Sequence, residues 1–299
     1  MANERSMGKL PTILVFLAVA FFSESILRAL AFSMPSSSTM APGPALFLDF
    51  DGTVVESEPF ILVATNKMLA EVEGIDVQWS AEVYRGLLKV GNTEARLTHY
   101  FNENSCWPRG VTSSSPVEEQ AVLVKSLKEK KDVWFDSLMN KAGKNFQCRP
   151  GILRLMEETI LELEGTCCIV SNTNTDVVQR QFNRLIENAP DYHYLLDSVR
   201  IFGGDLAPSG KRKPHPDLYV YAAEVMGLEP REVVVVEDSC EGLTAALSAG
   251  HSDIIITKNF YTEGSTFAGA ALVLDELPQD FSLSSYLETF RSSFDVQIL

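Results

Sequence analysis

The segment LFLDFDGTVVES constrains the fold most strongly, because an apolar run in it ends abruptly in two carboxylates. Residues 45–48 are all apolar, which predicts a short strand buried on both faces of a sheet. Asp49 and Asp51 are two positions apart, so in an extended chain their side chains point the same way. Like charges held this close repel each other, and a divalent cation is the simplest compensation. The alternative is that Asp51-Gly52 only forms the turn that ends the strand.

Similar strand-like runs recur along the chain, and amphipathic segments separate the later ones. Pro216 precedes one such helical pattern and Gly250 follows another, as is typical of helix boundaries. The predicted strands are residues 45–50, 166–171, 201–202, 232–238, 253–257 and 271–274. Strands that alternate with helices predict an α/β fold with a parallel, Rossmann-like sheet core covered on both faces.

The stretch between the first two predicted strands has a different pattern. Residues 61–72, 81–100 and 116–141 show helical periodicity with many charges, and β-rich runs are scarce. We therefore predict an inserted α-helical cap domain over the edge of the sheet. All three tryptophans lie in this stretch, and we expect them to pack between helices rather than to bind a ligand: Trp79, Trp107 and Trp134.

The first 42 residues are predicted to be a targeting segment. Basic residues precede an apolar run at 12–22 and a small-residue stretch at 29–31, which is typical of a secretory signal peptide. Glu24 interrupts the apolar run, which disfavours a transmembrane anchor. Phe32 and the hydroxyl-rich residues that follow resemble a transit segment of algae with secondarily acquired plastids. We predict the plastid stroma as the location, with secretion as the alternative.

The remaining boundaries follow from these patterns. The core is predicted at residues 43–60 and 147–280, the cap at 61–146, and a C-terminal tail at 281–299 with one short helix at 284–290. A net charge of −15 argues against nucleic acid or an anionic membrane surface as the main partner. The five cysteines lack zinc-site spacing and are predicted to be reduced thiols. The mature chain is predicted to be a monomer without a stable membrane anchor.

Polar residues close three of the predicted strands. They are Asp49 and Asp51 at the end of the first, Ser171 at the end of the second, followed by Asn172, and Glu237 and Asp238 at the end of the fourth. Lys213 precedes Pro214, which keeps the lysine extended and able to reach the strand ends. In open α/β sheets, ligands bind beyond the carboxyl ends of the strands. Polar groups from three strands therefore predict one shared site rather than unrelated turns.

Taken in this order, the motifs resemble those of the haloacid dehalogenase-like phosphatase superfamily. Residues 49–53 (DFDGT) resemble its first motif, Ser171 its second, Lys213 its third, and the pair Glu237-Asp238 its fourth. The run VYRGLLKVGNTEARLTHYF at 83–101 further resembles the CbbY-like group, which hydrolyses sugar phosphates. The best-understood role of that group is the removal of phosphate from xylulose-1,5-bisphosphate.

The resemblance implies a Mg²⁺-dependent phosphatase that acts on a small sugar phosphate. Asp49 is then the nucleophile and forms an aspartyl-phosphate, and Asp51 is the general acid–base. Ser171 and the backbone N–H of Asn172 bind phosphoryl oxygens, while Lys213 neutralises their charge. The implied oxygen ligands suit Mg²⁺: Asp49, the backbone carbonyl of Asp51, Asp238, and Glu237 either as a ligand or as an orienting group.

Substrate contacts from the cap side are predicted at Glu58, Lys89 and Arg96. Arg96 is the best candidate for a second phosphate or a sugar hydroxyl, whereas Lys89 has a solvated helix face as an equal alternative. Two departures from the family pattern weaken a bisphosphate assignment. Ile61 stands where relatives carry a histidine, and residues 92–96 (NTEAR) replace Gly-Gly-Lys-Glu-Arg.

Two other functions stay open at this point. One is a phosphosugar mutase of the β-phosphoglucomutase type, which Ile61 disfavours. The other is a non-catalytic phosphosugar-binding protein, which the retention of Asp49, Asp51 and the predicted metal ligands disfavours.

Overall fold

A single parallel β-sheet forms the centre of the protein. The computed structural model describes residues 43–108 and 110–295, so the predicted targeting segment lies outside the described residues. The strands are β1 (Ala45–Leu48), β2 (Thr166–Val170), β3 (Val199–Phe202), β4 (Val233–Glu237), β5 (Asp253–Thr257) and β6 (Leu272–Leu274). They are ordered β3-β2-β1-β4-β5-β6, and all neighbouring pairs are parallel. The predicted α/β class and the six predicted strands are confirmed.

Strand β1 lies in the interior of the sheet, between β2 and β4. Its side chains alternate between two hydrophobic cores, with Leu46 and Leu48 in one and Phe47 in the other. This two-sided burial explains the uninterrupted apolar run. The strand order reverses between β1 and β4, and such a switch point opens a crevice at the carboxyl ends of the strands.

Four of the helices between β1 and β2 in sequence share a core of their own. They are α1 (Glu58–Ala70), α2 (Ala81–Leu88), α3 (Thr93–Glu103) and α4 (Val117–Ala142). Trp79 and Trp107 are buried among them, and Trp134 is partly buried against both this core and that of the sheet. The predicted packing role of the three tryptophans is therefore confirmed. The residue limits predicted for the cap and core stay predictions.

The helical insertion differs from the prediction in two details. Helix α1 begins at Glu58 rather than at Ile61, with a proline in its first turn. The predicted helical run at 81–100 is two helices, because the chain breaks between α2 and α3. Gly91 there adopts φ +127, and the side chain of Asn92 accepts a hydrogen bond from the N–H of Ala95 at 2.9 Å, which caps α3.

The other helices cover the two faces of the sheet. They are α5 (Ile152–Glu157), α6 (Thr175–Glu187), α7 (Leu195–Ser198), α8 (Asp217–Met226), α9 (Cys240–Ser248) and α10 (Leu283–Asp295). The helix after Pro216 is confirmed as α8. No helix within the described ranges is long and apolar enough to cross a membrane. All five cysteines are free.

Helix α10 is longer than the predicted tail helix and is joined to the core. The buried carboxylate of Glu158 accepts hydrogen bonds from the backbone N–H groups of Leu283 (2.8 Å) and Ser284 (3.2 Å), and from the hydroxyl of Ser282 (2.8 Å). Leu283 and Leu287 pack into the same core as Leu46 and Leu48. A carboxylate at a helix N-terminus is favourably placed because the free N–H groups there are donors.

Candidate active site

Lys213 joins two carboxylates at the carboxyl ends of β1 and β4. Its Nζ atom donates hydrogen bonds to Asp49 Oδ1 at 2.7 Å, to Glu237 Oε1 at 2.6 Å and to the carbonyl of Val170 at 2.7 Å. These three bonds use all three protons of the ammonium group. The long sequence separation of these residues is bridged because parallel strands deliver their carboxyl ends to one edge.

The turn after β1 brings its residues against the end of β4. The N–H of Asp49 donates to the carbonyl of Val236 at 3.0 Å, which extends the ladder by one residue. Gly52 then adopts φ +91, and a Cβ atom there would lie 2.2 Å from Asp238 Oδ2. Only glycine satisfies both the backbone angle and the close approach at this position.

Asp49, Glu237 and Asp238 form a buried acidic group. Each offers one oxygen atom, and the three atoms all lie within 4.8 Å of one another. With the single charge of Lys213, the four side chains carry a formal charge of −3 + 1 = −2. Buried oxygen donors with a surplus of two negative charges fit a divalent cation such as Mg²⁺.

The same burial changes the pKa values of Asp49, Asp238 and Lys213. Burial, followed by the charge of Glu237, raises the pKa of Asp49 to about 8, although Lys213 opposes this change. Burial, and then Asp49 and Glu237, raise the pKa of Asp238 well above its usual value. Burial alone would lower the pKa of Lys213, but the carboxylates of Asp49 and Glu237 together raise it well above its usual value. The lysine therefore stays charged, and Asp49 and Asp238 are costly to ionise without a cation.

Glu237 is held from several sides. Its Oε1 atom also accepts from the hydroxyl of Tyr219 at 2.7 Å, and its Oε2 atom accepts from the N–H of Asp238 and the hydroxyl of Ser239, both at 3.3 Å. A Cβ atom at Gly242 would lie only 1.9 Å from its carboxyl carbon. Because protein donors occupy both oxygens, the contacts favour an orienting role for Glu237 over direct coordination.

Asp51 lies apart from the acidic group and is bound by hydroxyl groups. Its Oδ1 atom accepts from Ser57 at 2.6 Å, and its Oδ2 atom accepts from Thr173 at 2.6 Å and from Ser171 at 3.5 Å. The side chain is only partly buried. A carboxyl group fixed in this way beside a metal-type cluster is suited to proton transfer.

The two residues after β2 have different neighbours. The hydroxyl of Ser171 accepts from the N–H of Thr173 at 3.0 Å. The side chain of Asn172 bonds to the backbone of Lys213, with its Oδ1 atom 2.8 Å from the lysine N and its Nδ2 atom 3.2 Å from the lysine O. The exposed Arg212 donates to the carbonyl of Asn172 and to Asn174 Oδ1. The loop after β2 therefore orients the lysine.

Several site residues are absent from the sequence prediction. They are Ser57, Thr173, Tyr219 and Asn259, whose Nδ2 atom donates to Asp238 Oδ2 at 2.7 Å. Asn259 follows β5 by two residues, so the rule that polar groups follow strands would have indicated it. Thr53 is buried, and its hydroxyl has no hydrogen-bond partner among the described residues, which leaves packing as its visible role.

Glu58 and Arg96 meet on the cap side, whereas Lys89 does not join them. The hydroxyl of Tyr84 donates to Glu58 Oε2 at 2.5 Å, and Arg96 Nη1 donates to the same hydroxyl at 3.3 Å. Lys89 is exposed just beyond the end of α2. Tyr261, in the loop after β5, packs edge-on against Tyr84 with ring centroids 5.8 Å apart. This contact joins the helical insertion to the sheet side of the site.

The fold and this set of residues define a class of phosphoryl-transfer enzymes. Residues 44–250 match the family model "Hydrolase: haloacid dehalogenase-like hydrolase", and the chain belongs to that family. Because phosphoglycolate phosphatases are among the curated proteins that it matches, alongside CbbY proteins, the chain is a phosphatase.

Within the family, the chain is similar to CbbY proteins. A CBBY-like protein of Arabidopsis thaliana is 33% identical over 244 residues, which cover 81% of this chain and 72% of that protein. The plasmid-encoded CbbY of Cupriavidus necator is 31% identical over 235 residues, covering 78% and 85%. The crystal structure of a mutant of Rhodobacter sphaeroides CbbY in complex with xylulose-(1,5)bisphosphate is similar at a TM-score of 0.64 and 26% identity, covering 81% of this chain and 98% of that one.

Proposed function

We propose that this phosphatase is Mg²⁺-dependent and hydrolyses a small sugar phosphate through an aspartyl-phosphate on Asp49. One observation carries the proposal. Asp49 lies with Lys213, Glu237 and Asp238 in one buried cluster, while hydroxyl groups hold Asp51 beside it. The cluster provides a nucleophile and charge neutralisation, and the separate carboxyl group provides proton transfer.

Asp49 attacks the phosphorus atom in this mechanism. A bond forms between a carboxylate oxygen of Asp49 and phosphorus as the bond between phosphorus and the sugar oxygen breaks. Lys213 contacts Asp49 Oδ1 and stays charged, so its ammonium group offsets the negative charge of the arriving phosphoryl group. The hydroxyl of Ser171 and the N–H of Asn172 bind the phosphoryl oxygens at the same edge of the sheet.

Asp51 moves the protons. As an acid it gives a proton to the departing sugar oxygen. As a base it then takes a proton from the attacking water, whose oxygen bonds to phosphorus as the bond between phosphorus and the Asp49 oxygen breaks. The hydroxyls of Ser57 and Thr173 keep its carboxyl group in one orientation for both steps. Asp51 is then regenerated in its protonated form as inorganic phosphate is released.

Asp49, Asp238 and the backbone carbonyl of Asp51 would hold Mg²⁺, with Glu237 as the orienting group. When bound, the ion supplies positive charge that neutralises the transferring phosphoryl group. The surplus charge of −2 in the cluster, and the raised pKa values of Asp49 and Asp238, support a divalent cation here.

Xylulose-1,5-bisphosphate is the substrate that we propose within this class. The similarity to a CbbY crystallised with that compound supports it. So does Arg96, whose buried Nε atom has no hydrogen-bond partner among the described residues and can bind a second anionic group. Ile61 and Glu94 mark where this chain departs from the family pattern, so a monophosphate belongs in the same test.

Phosphate release from a panel of sugar monophosphates and bisphosphates tests the proposal, with and without Mg²⁺, for the wild type and Asp49→Asn. We expect Mg²⁺-dependent release that the substitution abolishes. Activity that persists in Asp49→Asn would show that Asp49 is not the nucleophile. Interconversion of hexose phosphates without release would identify a mutase, and binding without turnover would identify a binding protein.

We also propose that residues 1–42 direct the protein to the plastid stroma. The signal-peptide pattern followed by a hydroxyl-rich segment supports this location. A fluorescent reporter fused behind residues 1–42 should accumulate in plastids of an alga with secondary plastids. Export of the reporter from the cell would instead support secretion.

A further inference from the structure

The guanidinium group of Arg149 is buried and bonds to two loops of the active site. Its Nη1 atom donates to the carbonyls of Gly52 and of Thr257, the latter at 3.2 Å, and its Nη2 atom donates to the carbonyl of Lys258 at 2.6 Å. The residue is 8% exposed. A buried arginine with three backbone acceptors fixes the relative position of the segments that carry them.

Both segments carry active-site residues. Gly52 directly follows Asp51 and packs against Asp238. Lys258 directly precedes Asn259, whose Nδ2 atom donates to Asp238 Oδ2 at 2.7 Å and lies 3.4 Å from the carbonyl of Gly52. The Gly52 carbonyl therefore has donors from both Arg149 and Asn259. One guanidinium group therefore connects the turn that contains Asp51 to the loop whose Asn259 binds the carboxylate of Asp238.

Arg149 also lies where the chain returns from the helical insertion to the sheet. Its N–H donates to the carbonyl of Val54 at 2.9 Å, and Val55 forms an antiparallel bridge with Cys148. The outgoing and returning segments thus run side by side. Glu56, on the outgoing segment, lies 3.8 Å from the guanidinium Nε atom. The arginine is therefore in contact with both chain segments that connect the sheet to the helical insertion.

We propose that Arg149 is a positioning residue that places Asp51 for proton transfer to the leaving oxygen. By holding the Gly52 carbonyl it fixes the peptide next to Asp51, while Ser57 and Thr173 fix the carboxyl group itself. The inference rests on the acid–base role proposed for Asp51. A lysine cannot replace the arginine fully, because an ammonium group lacks the planar fork that spans carbonyls of separate segments.

Two phosphate esters with different leaving groups distinguish positioning from a general structural role. Glycerol phosphate releases an alkoxide that needs a proton, whereas p-nitrophenyl phosphate releases a phenolate that leaves without one. We expect Arg149→Lys to lower kcat/KM at least about 10-fold for glycerol phosphate but less than about 3-fold for p-nitrophenyl phosphate. The ratio kcat/KM is suited to this comparison because it covers the steps up to cleavage of the ester bond.

Equal losses on the two esters, or no loss on either, would overturn the inference. Arg154→Lys is the matched control, since that arginine is on neighbouring helix α5, is 39% exposed and pairs with Glu162. This control should change kcat/KM by no more than about 2-fold for either ester. Thermal unfolding would show whether Arg149→Lys folds. If it does not, Glu56→Gln removes an ionic contact of the same guanidinium group, and it should lower kcat/KM by a smaller factor for glycerol phosphate alone. An equal effect of Glu56→Gln on both esters would count against the inference.

Asp51→Asn, assayed on the same two esters, separates the inference from the proposed function. If Asp51→Asn lowers kcat/KM by the same factor for both esters, the acid role of Asp51 is wrong, and the inference fails with it. If Asp51→Asn discriminates between the esters and Arg149→Lys does not, the proposed function stands and the role of Arg149 is wrong.

Discussion

The Nζ atom of Lys213 lies 2.7 Å from Oδ1 of Asp49, although 164 residues separate them in the chain. Their side chains are 3% and 10% exposed. Because water cannot solvate either charge in such a buried pair, each charge is stabilised by the other. The pair therefore links the stability of the protein to the chemistry of its site.

Lys213→Met should weaken both folding and catalysis. The substitution leaves the carboxylates of Asp49 and Glu237 buried without their ammonium partner, so the free energy of unfolding should fall by about 3 kcal/mol. Phosphate release should fall at least about 100-fold. Urea unfolding and a phosphate assay measure the two effects. Lys211→Met, at an exposed position two residues earlier, should change neither by much, and equal stability of the two variants would contradict the prediction.

Thr173→Val should slow catalysis while leaving the fold intact. The valine is nearly isosteric but lacks the hydroxyl that donates to Asp51 Oδ2 at 2.6 Å. Loss of the hydrogen bond that orients this carboxyl group should lower kcat/KM about 10-fold. Thr244→Val removes an exposed hydroxyl that bonds only to its own helix, and it serves as the control. Similar kinetics for the two variants would show that the Thr173 contact is dispensable.

Asp238→Asn should weaken the response to Mg²⁺. Removing one carboxylate lowers the charge of the cluster, so the Mg²⁺ concentration for half-maximal activity should rise at least about 10-fold. The thermal stabilisation by Mg²⁺, which follows from binding to the folded state, should shrink in parallel. Titrations of activity and melting temperature measure both quantities. The exposed Asp280→Asn should respond like the wild type, and an unchanged titration for Asp238→Asn would exclude it as a ligand.

Gly242→Ala and Gly86→Ala should change stability in opposite directions. A Cβ atom at Gly242 would lie 1.9 Å from the carboxyl carbon of Glu237, so the alanine should cost about 1–3 kcal/mol and lower activity by displacing that carboxylate. A Cβ atom at Gly86, in α2, meets nothing within 4 Å, so helix propensity should stabilise the protein by about 0.5–1 kcal/mol. Denaturant unfolding compares them directly, and destabilisation of equal size would refute the steric argument.

His251→Gln should reduce the loss of stability in acid. Burial lowers the pKa of His251 below its usual value of 6.5, and its Nδ1 atom lies 3.0 Å from the carbonyl of Pro230. A group whose pKa is lower in the folded state contributes stability above about pH 6.5, and that contribution is lost as the pH falls. Glutamine keeps a donor but does not titrate. Unfolding at pH 7.5 and 5.0 should show a smaller difference than in the wild type, whereas exposed His193→Gln should match the wild type.

The sheet and the central acids were predictable from the sequence because both depend on local signals. Most of the strands are largely apolar runs of the right length, and the carboxyl ends of parallel strands meet at one edge. Asp49, Glu237 and Asp238 are adjacent to strand ends, so their convergence needs no knowledge of side-chain packing. Lys213 was predictable through the proline that follows it.

The supporting contacts were not predictable, because they depend on how separate loops pack. Nothing in the local sequence around Tyr219 or Arg149 indicates that one bonds to Glu237 and the other to Gly52. The break between α2 and α3 was missed although Gly91 and Asn92 are residue types typical of a helix end and a helix start. For Lys89 the sequence left a substrate contact and a solvated helix face as equal alternatives, and the helix boundary leaves Lys89 in solvent.

The last helix has a practical consequence for anyone who shortens this protein. Trimming the chain before Ser282 would strip Glu158 of three donors and leave a dehydrated negative charge in the interior. It would also remove Leu283 and Leu287 from the hydrophobic core that they share with Leu46 and Leu48, in the strand that leads into Asp49. Expression trials should therefore vary the N-terminal boundary and keep the C-terminal segment, even though the catalytic motifs all precede it.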